Sequence, residues 1–210
     1  MLDAQIVVLA KQPQAGRTKT RLCPPLTPEQ AADVARAALL DTLDAVAATA
    51  VRRRVVVLDG SPDELIPARF DVLPQRGAGL DERLAHAFTD TFADRSLPVL
   101  LIGMDTPQVT PFLLEQSIHT LLAAPAVLGL ASDGGWWAAG LHAPDPEVFL
   151  GVPMSADDTG VHQLARLRRQ GLEPVLLPAL RDIDLVADLH AVAAEMPATS
   201  RTAAFLPVAS

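Results

Sequence analysis

The stretch QIVVLAKQPQAGRTKTRL, residues 5–22, contains the features that decide the fold. Its first six residues form a short apolar run rich in β-branched side chains, which predicts a buried strand at residues 5–10. After a basic loop, Thr27-Pro28-Glu29-Gln30 forms a capping box with proline at the first helical position, and this predicts a helix that ends near residue 50. A strand, a loop and a helix in this order make up the first half of a βαβ unit.

The remaining chain repeats this alternation of short apolar runs and longer amphipathic segments. Further strands are predicted at residues 54–58, 70–73, 98–103, 126–131, 136–141 and 174–177. Helices are predicted near residues 81–92, 111–123, 158–170 and 185–195, with a shorter one after the capping signature Ser61-Pro62-Asp63-Glu64. The Asp133-Gly134 turn lies between two apolar runs and favours a hairpin. We therefore expect an α/β fold with a mainly parallel mixed sheet and one antiparallel pair.

Composition limits the classes of protein to which the chain can belong. With 210 residues, half of them hydrophobic, we expect one domain at residues 1–196 and a tail at 197–210. The formal net charge of −8 disfavours a nucleic-acid-binding surface. No segment reaches the about 20 predominantly apolar residues that span a bilayer, and the N-terminus lacks a signal-peptide pattern, so we expect a cytoplasmic protein. The single cysteine, Cys23, excludes an internal disulfide.

Basic residues are distributed unevenly along the sequence. The chain has fifteen arginines and only two lysines, and both lysines lie in the loop after the first strand. A loop at the carboxyl end of a parallel strand lies where α/β sheets bind ligands, so this loop is a candidate phosphate site. Its predicted binding residues are Lys11, Gly16, Arg17, Lys19 and Arg21; the alternative is a solvated basic loop. We interpret Arg52-Arg53-Arg54 as a solvated junction between helix and strand.

The segment from Lys11 to Leu22 closely resembles the opening motif of the radical-SAM/selenodomain-associated transferase family. Further motifs of that family are matched in the same order by Gln75-Arg76-Gly77, Gly103-Met104-Asp105-Thr106-Pro107, Asp133-Gly134-Gly135-Trp136-Trp137 and Arg181-Asp182-Ile183-Asp184. The resemblance covers about residues 5–190. It implies a single-domain, three-layer GT-A (Rossmann-like) fold of the nucleotide-diphospho-sugar transferase superfamily, shared with molybdenum-cofactor guanylyltransferases and sugar-acid cytidylyltransferases. It also implies that Gly77 contributes to nucleotide binding.

Asp105 is the first candidate metal ligand. It follows the most hydrophobic predicted strand, and Mg²⁺ (or Mn²⁺) prefers oxygen ligands, often one or two carboxylates together with substrate phosphates. A turn-forming role is the alternative. The resemblance implies that Asp105 binds the metal and that Asp184 supplies the second carboxylate, with Asp182 as the alternative. Asp184 also lies where it could cap the last helix.

Asp133 and Trp136 are candidates for the acceptor site, together with Gly134 and Gly135. A tryptophan beside a carboxylate can stack on a sugar or base while the acid accepts a hydroxyl proton. The alternative interpretation is that Asp133 only begins a hairpin turn.

These residues predict a Mg²⁺-dependent transferase with a nucleotide-activated donor and a small-molecule acceptor. We expect a glycosyltransferase that uses a nucleotide sugar, with Lys19 and Arg21 stabilising the leaving group and Asp133 activating the acceptor. One alternative is a nucleotidyltransferase that joins a nucleoside triphosphate to a phosphorylated small molecule. Another is a nucleotide-binding protein without catalysis.

Overall fold

Strands and helices alternate along the chain in a computed structural model that describes residues 1–62 and 65–206. Within these residues the strands are β1 Leu2–Lys11, β2 Val51–Asp59, β3 Asp71–Pro74, β4 Val99–Gly103, β5 Ala126–Ala131, β6 Trp136–Leu141 and β7 Pro174–Leu180. The α-helices are α1 Pro28–Ala48, α2 Leu80–Asp94, α3 Pro111–Ala123, α4 Thr159–Arg169 and α5 Val186–Glu195. Each strand predicted from the sequence is present, and β1, β2 and β7 extend a few residues further than predicted.

The described strands form one seven-stranded sheet in the order β3-β2-β1-β4-β6-β5-β7. β1 pairs in parallel with β2 and β4, and β5 pairs in parallel with β7. β6 runs against both of its neighbours, β4 and β5. The predicted mainly parallel sheet with its antiparallel hairpin is therefore confirmed. Lys11 is aligned with Asp59, and Leu9 with Gly103, so β1, β2 and β4 end at the same edge of the sheet.

Apolar residues on both faces of the sheet create three layers. Ile6 and Val8 of β1 belong to a buried cluster that includes side chains of α1 and α3. Val7 belongs to a second cluster on the opposite face, which includes side chains of α2 and α4. Because successive side chains of a strand point to opposite faces, a strand covered on both sides needs an almost continuous apolar run.

The predicted helix starts are confirmed by their hydrogen bonds. The Thr27 hydroxyl accepts from the Gln30 amide at 3.3 Å, and the Gln30 side chain accepts from the Thr27 amide at 2.8 Å. Thr110 caps α3 by accepting from the Leu113 amide at 3.1 Å. α5 begins differently, because Leu185 is its N-cap residue and the Asp188 carboxylate accepts from the Leu185 amide. The carboxylate of Asp184 is thus available for other contacts.

The structure corrects the interpretation of the triple arginine. Arg53 belongs to β2 and is buried, with its guanidinium paired to Asp71 at 2.6 Å and Asp94 at 2.8 Å. It also donates to the Thr91 carbonyl. These partners come from distant segments, so the local run of charges gave no sign of them.

Two predicted segments fall partly outside the described residues. The helix expected after Ser61 includes Asp63 and Glu64, which lie outside them, and residues 65–70 form turns and bends. The expected tail at 197–210 is described as far as residue 206. There a short 3₁₀ helix, Thr202–Phe205, lies near α1, where the Asp41 carboxylate accepts from the Thr202 amide at 2.8 Å. Among the described helices, none is long and apolar enough to cross a membrane.

Candidate functional site

A cleft of about 460 Å³ opens at the edge where β1 and β4 end. Its walls come from the loop after β1, the segment after β4, the start of β6 and the segment after β7. Eight of the residues singled out from the sequence line it: Lys11, Arg17, Lys19, Arg21, Asp105, Gly135, Trp136 and Asp184. Asp182 lines it as well.

The loop after β1 is anchored by one apolar side chain. Leu22 is fully buried in a cluster with Ile183 and Leu189, from the segment after β7 and from α5. Just before it, Lys19 has φ 51° and ψ 37°, a left-handed conformation that residues other than glycine rarely adopt. The anchored loop therefore directs Lys19 inward at a conformational cost that other contacts must offset.

Two carboxylates make the contacts that offset this cost. The Lys19 ammonium lies 2.8 Å from Asp105 Oδ1 and 3.3 Å from Asp184 Oδ1, and the Lys19 side chain is only 7% exposed. Arg21 approaches from the outside, with Nη1 at 3.1 Å from Asp184 Oδ2 and its side chain 71% exposed. The two predicted metal ligands are thus brought together, and a lysine ammonium lies between them.

Electrostatics at this position favour a charged lysine and a neutral neighbouring acid. Burial lowers the pKa of Lys19, but attraction to Asp105, Asp184 and Asp182 outweighs it, so the pKa lies above the ordinary 10.5. Burial and the nearby charges of Asp105, Asp133 and Asp184, opposed by Lys19, raise the pKa of Asp182 from 3.8 to about 7. Asp182 Oδ1 is buried and has no hydrogen-bond partner among the described residues.

The two remaining cations of the loop have a different environment. Lys11 and Arg17 line the cleft and are exposed. Arg17 Nη1 donates to the Gln14 side chain at 3.3 Å, and neither residue forms an ion pair within the described parts of the chain. No carboxylate of residues 1–62 or 65–206 therefore neutralises their charge.

The Asp133 turn shapes the opposite wall. Asp133 Oδ1 accepts from the Gly135 amide at 2.9 Å, as the hairpin interpretation expects, and Asp133 is exposed and not among the residues that line the cleft. Gly134 has φ 89°, and a Cβ there would lie 1.7 Å from the Asp157 carbonyl oxygen. Trp136 is half-buried against the cleft, whereas Trp137 is buried and donates to the Pro178 carbonyl.

Three predicted glycines, Gly16, Gly77 and Gly134, lie outside the lining of the cleft. Gly16 has φ 73° and open space around it, which fits a turn in the loop. Gly77 has φ 121°, and a Cβ there would lie 2.7 Å from the Glu82 Cβ, so this position needs glycine for packing against α2. Gly16 and Gly77 are therefore not part of the wall of the cleft.

Several lining residues were not predicted as binding residues. They include Gln75, Met104 and Thr106, which entered only as parts of motifs, and also Met154, Ser155 and Thr159. Gln75 Nε2 donates to the carbonyls of Ala10 at 2.8 Å and Val57 at 3.1 Å, tying together the ends of β1 and β2. Its position shortly after a predicted strand was the available signal, and Thr159 had none.

The carboxylates of the cleft supply only some of the ligands that a hard divalent metal ion needs. Within the described residues, no group of three or more His, Cys, Asp or Glu side chains is arranged to hold a metal. Asp105 and Asp184 nevertheless place one oxygen each within 3.3 Å of a common point, the Lys19 nitrogen. Two carboxylates fit an ion such as Mg²⁺ when substrate phosphates complete its coordination.

Comparison with known proteins places the chain among transferase-like folds. Residues 42–156 match the family described as "Uncharacterized protein conserved in bacteria (DUF2064)". No curated protein gives a significant match. Among solved structures, a candidate nucleotide-diphospho-sugar transferase from Desulfovibrio desulfuricans G20 is 27% identical with a TM-score of 0.87, and the match covers 97% of this chain and 94% of that one.

More distant structures share the fold. The Rv0371c protein of Mycobacterium tuberculosis H37Rv in complex with manganese is 21% identical with a TM-score of 0.55, over 91% of this chain and 97% of that one. A CMP:2-keto-3-deoxy-manno-octonic acid synthetase complexed with CTP is 14% identical with a TM-score of 0.55, over 90% and 96%. The predicted GT-A-like α/β fold is therefore confirmed, and it is one used by transferases that act on nucleotides.

Proposed function

The chain belongs to the DUF2064 family, and we propose that it is a metal-dependent transferase. In this proposal it transfers a sugar from a nucleotide-sugar donor to a small-molecule acceptor. The observation that carries the proposal is the contact of Lys19 with Asp105 and Asp184 inside the cleft. It combines, at one point, a cation suited to phosphate and two carboxylates suited to a divalent ion. Likeness to the D. desulfuricans protein supports sugar transfer in particular.

In glycosyl transfer, the acceptor hydroxyl oxygen attacks the anomeric carbon while the bond from that carbon to the donor phosphate breaks. Negative charge then grows on the departing nucleoside diphosphate. Lys19 and Arg21 would stabilise that charge, with Lys11, Arg17 and the loop backbone at Gly16 contributing to donor binding. Asp133, beside the Gly135 and Trp136 wall, would take the hydroxyl proton, and Trp136 would stack on the sugar.

Asp105 and Asp184 would hold Mg²⁺ or Mn²⁺, with Asp182 as the alternative second ligand. A bound ion would supply further neutralisation of the diphosphate charge. Support for a metal comes from the two carboxylates themselves and from the manganese complex of the Rv0371c protein, which shares the fold.

Nucleotidyl transfer is the second candidate function. In that reaction a phosphorylated acceptor attacks the α-phosphate of a nucleoside triphosphate, and pyrophosphate leaves. The observation in its favour is the pair of exposed cleft cations, Lys11 and Arg17, which could neutralise the additional phosphate of a triphosphate. The CTP complex of a structure with the same fold also favours it.

A product assay separates these functions. The full chain is incubated with a panel of nucleotide sugars and nucleoside triphosphates, with and without Mg²⁺, after a thermal-shift screen has selected the ligands that bind. A glycosyltransferase slowly releases nucleoside diphosphate and free sugar even without an acceptor, because its site already stabilises that leaving group. A nucleotidyltransferase spares nucleotide sugars and releases pyrophosphate when a phosphorylated acceptor is present. Tight binding with neither product would favour the non-catalytic alternative.

A cytoplasmic location, a single functional domain at residues 1–196 and membership of the radical-SAM/selenodomain-associated transferase family remain predictions. The acceptor is expected to be a small molecule, since the cleft is about 460 Å³ in volume.

A further inference from the structure

The position of Lys19 affects how the binding of the metal and the binding of the donor depend on each other. Its ammonium lies in the place where a metal bound to both Asp105 and Asp184 would lie, at 2.8 Å and 3.3 Å from their oxygens. An ammonium and a divalent ion cannot share that space. We propose that Lys19 is an internal counter-ion that competes with the metal, and that metal entry displaces its ammonium toward the donor phosphates.

The closeness of these carboxylates explains why a counter-ion is needed. Asp105 and Asp184 are 40% and 35% exposed, and Asp182 lies close enough to interact with both. Without a cation between them, these carboxylates would repel one another in a cleft that water screens incompletely. Lys19 supplies that cation in the metal-free protein.

The backbone gives a second, independent argument. Lys19 is the N-cap of the 3₁₀ helix Thr20–Leu22 and has a left-handed conformation, which is unfavourable for a residue with a side chain. Leu22, buried just beyond it, holds the loop in place. The loop is thus arranged to direct one ammonium at the carboxylates, and a lysine is suited to later release because its long side chain can move the charge while the backbone stays fixed.

Displacement would couple the two ligands. A metal that replaces Lys19 frees a positive charge beside the incoming phosphates, and phosphates that attract Lys19 vacate the metal site. Metal and donor would therefore bind with positive cooperativity, by the same factor in either order. This inference rests on the proposed function in taking Asp105 and Asp184 as metal ligands and in taking a phosphate-bearing donor as the second ligand.

The decisive measurement is the affinity for metal alone. Mn²⁺ is titrated into the full chain and free Mn²⁺ is followed by electron paramagnetic resonance, for the wild type and for Lys19→Met, which removes the charge and keeps much of the volume. We expect Lys19→Met to bind Mn²⁺ about tenfold more tightly or better, within the usual range of coupling between two ligands. An affinity equal to or weaker than that of the wild type would overturn the proposal, as would absence of Mn²⁺ binding to both proteins.

Two control variants test for a general effect of charge. Arg52→Met also removes one positive charge, but Arg52 pairs with Asp3 on the surface, and we expect no change in affinity. Arg21→Met removes the exposed partner of Asp184, and we expect a smaller gain than with Lys19→Met. Equal gains in all three variants would mean that net charge, and not displacement of Lys19, controls metal binding.

A wild-type measurement does not depend on how the variants fold. Because the chain contains only Lys11 and Lys19, lysine labelled with ¹³C at Cε gives two side-chain signals. On addition of Mg²⁺ we expect the Lys19 signal to shift and the Lys11 signal to stay, and an unchanged Lys19 signal at saturating metal would refute displacement. The product assay and nucleotide titrations remain separate: metal competition without nucleotide binding would contradict the proposed function and the coupling to the donor, but not the competition between Lys19 and the metal.

Discussion

The main-chain amide of Ile183 donates a hydrogen bond to the main-chain carbonyl of Asp105, with 3.0 Å between the nitrogen and the oxygen. This bond ties the segment after β7 to the segment after β4. Ile183 is also fully buried against Leu22 of the first loop. Three distant segments are thus fastened at one point, and their side chains Lys19, Asp105 and Asp184 meet because of it.

Asp105→Asn should abolish Mg²⁺-dependent nucleotide binding and leave the fold intact. Asparagine has nearly the same size as aspartate, and the main-chain carbonyl that accepts from the Ile183 amide is unchanged. The substitution removes only the negative charge that a hard cation requires. The measurement is the thermal shift produced by each nucleotide with and without Mg²⁺. Asp90→Asn, which removes a surface partner of Arg76, is the control. Unchanged metal-dependent affinity in Asp105→Asn would exclude this residue as a metal ligand.

Lys19→Ala should weaken nucleotide affinity by roughly 1.5–3 kcal/mol, the value of a charge-assisted hydrogen bond. Arg21→Ala should have the same sign and a smaller effect, because the Arg21 side chain is 71% exposed and water screens its charge. Isothermal titration at two salt concentrations measures both, and added salt should mimic the variants. Normal nucleotide binding by both variants would mean that Lys19 and Arg21 do not bind the nucleotide.

Asp133→Asn should reduce turnover far more than donor binding. The asparagine oxygen can still accept from the Gly135 amide, so the turn is kept while the proton acceptor is lost. The relevant comparison is kcat for the product identified in the assay against the dissociation constant of the donor. Turnover close to that of the wild type would reduce Asp133 to its role in the turn.

Gly134→Ala should destabilise the protein by a few kcal/mol, because the added Cβ would lie 1.7 Å from the Asp157 carbonyl oxygen at a φ of 89°. Gly171→Ala is the matched control: its φ of 74° is also positive, but no atom lies within 4 Å of the added Cβ. Chemical denaturation should give a loss of about 1 kcal/mol for that control. Equal losses in the two variants would show that backbone conformation, and not the contact with Asp157, restricts position 134.

Asp182→Asn should stabilise the metal-free protein at pH 8 and change it little near pH 4. The native pKa of Asp182, about 7, lies above its unfolded value near 4, so the wild type loses stability as the pH rises through this interval. The neutral asparagine removes that loss, a gain on the order of 1–3 kcal/mol at pH 8. Urea unfolding in the presence of a chelator, repeated across this pH range, measures it. Parallel stability curves for the two proteins would contradict a buried, raised-pKa Asp182.

Local chemistry explains how much of the fold could be predicted from the sequence. The apolar run of β1, the capping box at Thr27 and the turn at Asp133 each depend on residues a few positions apart, and each is present in the structure. The interpretation of the sequence was wrong where a side chain pairs with residues that are far away along the chain. Arg53 was expected in solvent but is buried, because Asp71 and Asp94 neutralise it from other segments.

The same division applies to the candidate site. The order of residues along the chain was enough to predict that both lysines lie in the loop after the first strand and that Asp105 follows a buried strand. Folding alone brings the Lys19 charge between Asp105 and Asp184, buries Asp182 Oδ1 beside them and lets Asp133 cap its own turn. The reason is that these distances are set by the packing of Leu22 against Ile183 and by the hydrogen bond from Ile183 to Asp105, contacts between segments that meet only in the folded chain.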